Sequence, residues 1–465
     1  MSGRIVSLAL FFASALLASR PSLLTGENSF NPQGGQGMAT VATMGANKHV
    51  LSGLEITCEG LQVKVSRGRC EVDGKEVVVA SDTALAVDPV PIISVQDEAV
   101  KLKSEVPKGW AHGTRLKGVQ PRPGWTPLPG CLAPNSVVVK SAPGDKGAAF
   151  KEGEDYLVDH AWGQVGRKPT GKIGEKDTVY IDYKCGVMRI DTIFVSPDGK
   201  VTLQKGVAAK TCPFPPERPV NCLALANVSM PYHATSVGPE QIYPVEEPLP
   251  APTPEELKRK AQLVKKTRGK LEAGEPVTIV AWGDSVTSGG DASVPAKNYV
   301  NLFASTLQAE YPRAKITMFN AGIGGSNTNQ RLPNLQKEVL DHKPDLVVIE
   351  YVNDMGMTPE NLRKNYFTAI DQIRAAGAEV IIQTPHFTMP TMMGGKSLRD
   401  PDGRRNCEGL RQIALEKNVG LSDAAKRWEH LWREGLPYIT LLYNGINHPD
   451  DRGHKLFVDE LMKFF

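Results

Sequence analysis

The fold is decided by one stretch of the sequence, Val277-Thr278-Ile279-Val280-Ala281-Trp282-Gly283-Asp284-Ser285. The residues before the glycine form a short apolar run rich in β-branched side chains, which predicts a buried β-strand. The glycine and the two polar residues that follow predict a turn at the end of that strand. In open α/β sheets ligands bind outside the carboxyl ends of the strands. The hydroxyl of Ser285 is therefore predicted to lie where a sheet opens to solvent.

Strand and helix patterns alternate downstream of this stretch. Apolar runs at 315–319, 345–351 and 379–383 predict buried parallel strands. Helical patterns lie between and after these runs, at 296–310, 330–342, 359–375, 404–417, 423–434 and 451–464. Alternating units of this length predict a three-layer α/β sandwich with a parallel sheet for residues 275–465.

The sequence between residues 48 and 243 has a different pattern. Short runs rich in β-branched residues, such as Leu61–Val65 and Glu76–Val79, predict β-strands. Asp73-Gly74 and Asp198-Gly199 lie between such runs and predict hairpin turns. Since no long amphipathic helix pattern occurs here, we expect an all-β accessory domain.

A segment rich in Pro and Glu follows, and residues 244–274 are predicted to form a linker and a helix. The helix start is recognisable because Thr253 can cap the first turn and Pro254 suits the first helical position. Glu256 completes the pattern of a capping box. The pattern continues to about Gly269, and the chain then enters the strand before Ser285.

Residues 1–19 have the pattern of a secretory signal peptide. They begin with Met1-Ser2-Gly3-Arg4, continue with the apolar run Ile5–Ala18 and contain the small residues Ala13-Ser14-Ala15. Residues 20–47 are rich in Gly, Ser, Asn and Gln, which predicts a flexible lead-in. We expect a secreted or periplasmic protein without stable membrane insertion, because the apolar run is shorter than the roughly 20 residues that span a bilayer.

The composition excludes some classes of protein. The 465 residues exceed one small core, so two domains are expected, and 41% hydrophobic with 23% charged residues is ordinary for a globular chain. The sequence has no basic stripe with interleaved aromatic residues, so it does not indicate a nucleic-acid partner. The sequence has neither a C-x-x-C motif nor a His-rich spacing, so it does not indicate a metal or cofactor site. Disulfides Cys58–Cys70 or Cys212–Cys222 are conceivable in an exported protein, although the sequence does not determine the pairing.

Three predicted strands end in groups suited to acyl transfer. The first is followed by Ser285, the second by Asn320-Ala321-Gly322-Ile323-Gly324-Gly325-Ser326, and the third by Glu350-Tyr351-Val352-Asn353-Asp354. Parallel topology brings these ends to one rim of the sheet. There the Ser285 hydroxyl can attack a carbonyl, while its own N–H, a glycine N–H and the Asn353 amide can bind the resulting oxyanion. His448, just before the last predicted helix, is the candidate base.

Each of these residues also has a non-catalytic interpretation. Ser285 can be an ordinary turn residue, and Asn353-Asp354 can cap the following helix. The glycines at 322–325 can form a weak phosphate loop, although they lack the lysine and spacing of a P-loop. A single histidine such as His448 is more often structural than catalytic. Their combination on successive strand ends favours catalysis.

Taken together, these blocks resemble the SGNH (GDSL-type) hydrolase superfamily. Ser285 matches the nucleophile, Gly325 and Asn353 the oxyanion residues, and His448 the base. The resemblance covers about residues 275–465 and implies a flavodoxin-like three-layer fold and ester hydrolysis without a cofactor. The absence of Gly-x-Ser-x-Gly argues against the nucleophile elbow of α/β-hydrolases.

The sequence departs from the family pattern at two positions. Tyr351 stands where the family usually has a glycine, and we expect it to narrow the pocket. Gly445 stands where the family usually has an aspartate before the histidine, which leaves the group that orients His448 open. The candidates are a backbone carbonyl and the side chains of Asn444, Asp450 and Asp451. An uncharged orienting group would stabilise the imidazolium less than a carboxylate and predicts slower turnover.

The resemblance predicts a secreted serine esterase, with O-acetyl esters on polysaccharides as the first candidate substrate. The alternatives are a lipid esterase, thioesterase or acyltransferase with the same site, and a non-catalytic surface or glycan-binding protein with a degenerate hydrolase fold. The expected partner is an ester substrate, with an acylated glycan as the first candidate. Trp110, Trp125 and Trp162 could stack on sugars, although a core position is more common for tryptophan. His386 is a weaker candidate for the cleft.

Overall fold

The structure is a computed structural model that describes residues 48–246, 248–393, 398 and 405–465. The predicted signal peptide and lead-in, residues 1–47, lie outside the described residues. We call residues 48–243 the β-rich region and residues 275–465 the α/β region; both belong to one compact unit. Within the described ranges, no helix combines the length and the apolar character that crossing a membrane requires.

The β-rich region consists of antiparallel strands in five sheets, with the orders β1-β4-β5, β2-β3-β6, β10-β11-β8, β7-β12-β9 and β14-β13-β15-β16. The strands are β1 Val50–Gly53, β2 Ile56–Glu59, β3 Gln62–Val65, β4 Gly68–Val72, β5 Lys75–Val79, β6 Thr83–Ala86, β7 Ile92–Val100, β8 Thr114–Arg115, β9 Val138–Lys140, β10 Tyr156–Asp159, β11 Gln164–Arg167, β12 Val179–Gly186, β13 Arg189–Val195, β14 Val201–Gln204, β15 Leu223–Met230 and β16 Ile242–Pro244. The predicted all-β architecture is confirmed.

Two hairpins form where the sequence predicted them. Asp73-Gly74 joins β4 to β5, and both residues have positive φ, 50° and 76°, as a two-residue type I′ turn requires. Asp198-Gly199 lies between β13 and β14, and Gly199 has φ 79°. The residues at these two turns therefore determine the local hairpin conformation in the β-rich region.

Apolar packing divides the β-rich region into two cores rather than one. The first core combines buried residues between 54 and 90 with others between 187 and 242, including Leu54, Val63 and Leu225. The second is formed by buried residues between 102 and 185. The second core also contains Leu128, which lies close to the α/β region.

The cysteines do not form the disulfides considered from the sequence, since all seven are free thiols. Cys58 lies in β2 and Cys70 in β4, and these strands belong to different sheets. Cys212 and Cys222 lie in the connection between β14 and β15.

The α/β region has a five-stranded parallel sheet with the order β18-β17-β19-β20-β21. Its strands are β17 Pro276–Gly283, β18 Lys315–Gly322, β19 Leu346–Glu350, β20 Glu379–Gln383 and β21 Gly420–Ser422. The helices are α1 Pro254–Leu263, α2 Lys265–Ala273, α3 Ser285–Ser288, α4 Tyr299–Glu310, α5 Thr328–Arg331, α6 Leu335–Glu338, α7 Pro359–Ala375, α8 Pro390–Met393, α9 Arg405–Lys417, α10 Ala424–His430 and α11 Asp451–Met462. This is the flavodoxin-like strand order.

The residues of β17 alternate between two apolar layers. Ile279 and Ala281 belong to a core that also holds residues of α4 and α11. Val280 and Trp282 belong to a second core with residues of α7 and α9. Helices therefore cover both faces of the sheet, and the predicted three-layer sandwich is confirmed.

The helix predicted from Thr253 is present but interrupted. The Thr253 hydroxyl accepts a hydrogen bond from the backbone N–H of Glu256 at 3.2 Å, as the capping pattern indicated. α1 ends before Val264, and α2 then continues to Ala273, beyond the expected end at about Gly269. The exact domain boundaries at 243 and 275 stay predictions.

The predicted helix at 330–342 is replaced by the short helices α5 and α6. Pro333 lies between them and has no backbone N–H to continue a helical hydrogen-bond ladder. The chain before β19 is therefore irregular.

The sheet register brings the predicted functional loops together. Gly283 at the end of β17 pairs with Gly322 at the end of β18 and with Glu350 at the end of β19. β17 lies between its two neighbours, at the point where the strand order reverses and where ligands bind in such sheets. The loops after these three strands thus meet at one rim.

Candidate active site

The side chains of Ser285, His448 and Asp291 form a continuous hydrogen-bonded chain. The Ser285 Oγ lies 2.9 Å from Nε2 of His448. The Nδ1 of the same ring lies 2.8 Å from the Oδ2 of Asp291. Because a carboxylate only accepts, Nδ1–H donates to Asp291 and Nε2 is left to accept the proton of Ser285. This is the polarity that a general base for a serine nucleophile needs.

The turn that presents Ser285 is fixed by a buried aspartate. Asp284 caps α3, accepting from the backbone N–H of Val286 at 3.0 Å, and also accepts from the backbone N–H of Asn353 at 2.9 Å. It thereby ties the turn after β17 to the turn after β19. Burial raises the pKa of Asp284 to about 6, while the two N–H groups and His448 act in the opposite direction. A Cβ on Gly283 would lie 2.2 Å from the carbonyl oxygen of Glu350, so only glycine fits there.

Three hydrogen-bond donors are available beside Ser285 for a developing oxyanion. Within the described residues, the backbone N–H groups of Ser285 and Gly325 donate no hydrogen bond to the protein. Gly325 has φ 73°, a conformation that favours glycine. The Asn353 amide donates one hydrogen to the carbonyl oxygen of Ser326 at 3.0 Å and has a second to offer. A Cβ on Gly324 would lie 3.8 Å from the Cβ of Ser285, so this loop passes directly beside the hydroxyl.

The residue at Nδ1 of His448 differs from the candidates named from the sequence. Asp291 lies in the loop after α3, with φ 65° and a side chain that is 0% exposed. Gly290 precedes it, and a Cβ there would lie 3.0 Å from the His448 ring, so the absence of a side chain makes room for the imidazole. The sequence offers only its closeness to Ser285 in Gly289-Gly290-Asp291 as a signal, and the contact with His448 depends on the fold of the loop.

The three sequence candidates for orienting the ring have other contacts. The Asn444 side-chain oxygen accepts from the backbone N–H groups of Ile446, Asn447 and His448, and so builds the turn that holds the histidine. Asp450 caps α11 and pairs with Arg452. Asp451 binds Ser293 and Lys297. The expectation of slower turnover loses its basis, because a carboxylate does face His448.

Tyr351 does not narrow the cleft as expected. Its side chain is fully buried in the core, and its ring meets that of Trp282 edge-on at a centroid distance of 5.1 Å. Glu350, beside it, is also fully buried and accepts from the hydroxyl of Thr287 at 2.9 Å. Burial raises the pKa of Glu350 well above its ordinary value.

Two buried histidines support the segments that flank the His448 ring. His386 Nε2 lies 2.8 Å from the carbonyl oxygen of Asn447, and burial lowers the pKa of His386 to about 3. His454 Nε2 lies 3.3 Å from the carbonyl oxygen of Gly290, and burial lowers the pKa of His454 to about 4. Both rings therefore stay neutral and donate to backbone oxygens. His386 thus stabilises the loop before His448 and does not itself face Ser285.

Asp354 is a buried acid beneath the third loop. Its Oδ1 accepts from the backbone N–H of Thr328 at 3.0 Å, while within the described residues its Oδ2 has no hydrogen-bond partner. Burial raises the pKa of Asp354 to about 7. The carboxyl therefore changes its protonation near neutral pH although it lies away from the reacting atoms.

Asp354→Asn is expected to flatten the pH dependence of stability. The folded pKa is raised above the ordinary 3.8, so the protonated carboxyl stabilises the fold fully below about pH 4, and this contribution is lost as the pH rises through about 7. Asparagine keeps the acceptor oxygen and carries no charge. Relative to the wild type, the free energy of unfolding of the variant should therefore rise by on the order of a few kcal/mol between acidic and alkaline pH. Urea unfolding at about pH 5 and about pH 8 measures the difference, with exposed Asp371→Asn as control. A difference that is the same at both pH values would contradict the prediction.

The match to a known protein family falls within the α/β region. Residues 281–456 match the model of the GDSL-like Lipase/Acylhydrolase family. The α/β region belongs to this family. The predicted resemblance to SGNH (GDSL-type) hydrolases is confirmed for these residues.

Individual relatives are distant. The acetylxylan esterase of Geobacillus stearothermophilus is 24% identical over 213 residues, which cover 42% of this chain and 95% of that protein. An uncharacterized lipoprotein of Bacillus subtilis, YqeF, is 29% identical over 119 residues, covering 23% of this chain and 47% of the lipoprotein. A crystal structure of a two-domain esterase active on acetylated mannans aligns with 22% identity and a TM-score of 0.37, covering 43% of this chain and 52% of that one. The chain thus spans about half the length of the last two proteins.

Proposed function

We propose that the protein is a secreted serine esterase that removes O-acetyl groups from polysaccharides. The observation that supports it most is the chain of contacts from Ser285 through His448 to Asp291, at 2.9 and 2.8 Å. Nucleophile, base and orienting carboxylate stand in the order that acyl transfer to serine requires. Gly325 and Asn353 stand beside them as donors for the oxyanion.

In this proposal the reaction passes through an acetyl-serine. The Ser285 oxygen bonds to the acetyl carbon as its proton moves to Nε2 of His448, and the carbonyl oxygen becomes an oxyanion bound by the free N–H groups. The bond to the sugar oxygen breaks, and that oxygen takes the proton from Nε2. A water molecule then attacks the acetyl carbon, gives a proton to Nε2 and displaces Ser285, which recovers its proton as acetate leaves.

The choice of an acetylated glycan rests on two further facts. The sequence relative with nearly complete coverage is an acetylxylan esterase. The three tryptophans named from the sequence are not in the core: Trp110 is 55% exposed, and Trp125 and Trp162 are half-buried. Partly exposed indole rings offer an apolar face and a polar edge, which suits contact with sugars.

Export is proposed on the sequence of residues 1–19, which has the charged start, apolar run and small residues of a signal peptide. An exported enzyme would meet polysaccharides that lie outside the cytoplasm, which agrees with the proposed substrate. We propose the β-rich region as an accessory domain that contributes to the glycan-binding face.

The test compares acyl length and covalent labelling. We expect hydrolysis of p-nitrophenyl acetate to exceed that of the butyrate and octanoate esters in kcat/KM, and release of acetate from acetylated xylan. A fluorophosphonate should label the wild type and leave Ser285→Ala unlabelled, because only a nucleophilic serine is phosphonylated.

Other outcomes would select the alternatives. A preference for octanoate would indicate a lipid esterase, and a preference for thioesters a thioesterase. Acetyl transfer to an added sugar in excess of hydrolysis would indicate an acyltransferase. Binding of xylan without labelling or hydrolysis would overturn the enzyme in favour of a glycan-binding protein.

A further inference from the structure

An arginine of the β-rich region reaches the candidate catalytic centre. The Nη2 of Arg122 lies 3.7 Å from the Oδ1 of Asp291, the carboxylate oxygen that does not contact His448. The Asp291 side chain is 0% exposed and that of Arg122 is 37% exposed. Within the described residues, Asp291 Oδ1 and Arg122 Nε have no hydrogen-bond partner. The buried carboxylate is therefore compensated by a histidine on one oxygen and by this guanidinium on the other.

The guanidinium is held by aromatic rings from both regions. Its carbon lies 3.7 Å from the ring centroid of Trp125, in the β-rich region, and 5.4 Å from that of Tyr443, in the α/β region. The backbone N–H of Tyr443 donates to the carbonyl oxygen of His448 at 2.8 Å, so this tyrosine belongs to the turn that carries the histidine. Stacking on aromatic faces leaves arginine fewer orientations and keeps its charge in place.

The loop that carries Arg122 is itself anchored. The side chain of buried Gln120 accepts from the backbone N–H of Gly124 at 2.7 Å, and Trp125 N–H donates to the Arg122 carbonyl oxygen at 3.2 Å. The backbone N–H of Leu128 donates to the carbonyl oxygen of Val119 at 2.8 Å. Arg122 is therefore held by a structured turn.

Other contacts hold the β-rich region against the His448 turn. The Thr211 hydroxyl donates to the carbonyl oxygens of Leu442 and Tyr443, at 3.3 and 2.9 Å. A Cβ on Gly445 would lie 3.3 Å from Pro129, so the backbone of the His448 turn approaches the β-rich region closely there. Hence the position of Arg122 relative to Asp291 is set by packing on both sides.

We propose that Arg122 is a positioning residue for ester hydrolysis, so that the β-rich region completes the catalytic centre of the α/β region. This rests on the proposed function. Arg122 attracts the free oxygen of Asp291 across 3.7 Å, without a hydrogen bond, and so favours the carboxylate orientation in which the other oxygen meets Nδ1 of His448.

The charge effect has a direction that can be measured. Removing the positive charge that is paired with Asp291 should favour the protonated base in the variant, so the acidic limb of the pH profile of kcat/KM should move to higher pH. The titratable groups that also act on this cluster remain in place in the variants, and they are Asp284, His386, Tyr443, Asp451 and His454.

The test compares Arg122→Met with Arg122→Lys. The methionine variant keeps apolar contact with Trp125 without charge, and we expect a kcat loss of about 10-fold or more, unchanged KM and the shifted acidic limb. The lysine variant keeps the charge, so its acidic limb should stay at the wild-type pH even if kcat falls. Arg218→Gln, which removes an exposed arginine of the same region that pairs with Asp73, should leave the profile unchanged.

Each outcome decides between interpretations. If all variants keep the wild-type acidic limb, or if only KM rises, Arg122 is not a positioning residue, and a KM change alone would make it a substrate contact. Thermal unfolding of each variant shows whether a loss reflects folding, and the comparison of lysine with methionine remains decisive for the charge. If the wild type neither hydrolyses acetyl esters nor reacts with fluorophosphonate, the proposed function fails, whereas an active wild type with unaffected variants overturns this inference alone.

Discussion

Ser285→Ala is expected to lower kcat for acetate release by about 10⁶-fold, because the variant has no oxygen to form the acetyl-enzyme. The hydroxyl is hydrogen-bonded to Nε2 of His448 at 2.9 Å, and in the described part of the chain its oxygen has no other hydrogen-bond partner. The N–H donors of Ser285, Gly325 and Asn353 remain, so binding should be retained and a small residual rate should persist. Single-turnover and steady-state assays with p-nitrophenyl acetate measure both.

A matched control for this change lies on the same short helix. Ser288 is one turn away, and its hydroxyl donates to the Ser285 carbonyl oxygen at 2.8 Å without reaching His448. Ser288→Ala should therefore keep kcat within a few-fold and should still be labelled by fluorophosphonate. If Ser285→Ala and Ser288→Ala lost equal activity, the effect would be structural and the nucleophile would be another group.

The parts of the site that could be predicted are those that follow regular elements. Ser285, Gly325 and Asn353 each lie within three residues of the end of a strand, and the register of β17 with its neighbours brings these strand ends to one rim. His448 precedes α11, whose start is signalled by the capping residue Asp450. Periodicity and turn chemistry are local properties, so the sequence displays them.

Asp291 could not be found in that way, because its position depends on loop geometry. The family pattern places an acid three residues before His448, where this chain has Gly445 preceded by Asn444. The acid comes instead from the loop after α3, in a left-handed conformation at φ 65° that no periodic pattern indicates. Contact between this loop and the His448 turn joins residues far apart in sequence, and only the tertiary structure specifies it.

The β-rich region shows the same limit. Its hairpin turns, such as Asp73-Gly74, could be predicted because the two turn residues determine the local dihedral angles. The pairing of β7 with β12 and the separation into two cores join distant segments. Arg122 carried no signal, since an arginine in a Pro- and Gly-rich loop resembles any surface arginine.

Asp291→Asn is expected to lower kcat by about 10⁴-fold with little change in KM. Asparagine has nearly the same shape and also tolerates a left-handed backbone, so the loop at φ 65° should keep its conformation. Its amide can donate to Nδ1 of His448, which would place the imidazole proton on Nε2, where it no longer accepts from Ser285. The imidazolium would also lose its carboxylate. The pH profile of kcat/KM, measured with thermal unfolding as a folding check, separates these effects.

The sequence-based alternatives supply the controls for this prediction. Asp451→Asn removes contacts to Ser293 and Lys297 in the segment after Asp291 but leaves the carboxylate at His448, so its kcat should stay within about 10-fold of the wild type. Asp450→Asn perturbs the cap of α11 and should act mainly on stability. Full activity of Asp291→Asn, together with a large loss in either downstream variant, would show that an aspartate beside α11 orients the histidine. The order of effects therefore decides whether the orienting acid comes from the nucleophile loop or from the C-terminal helix.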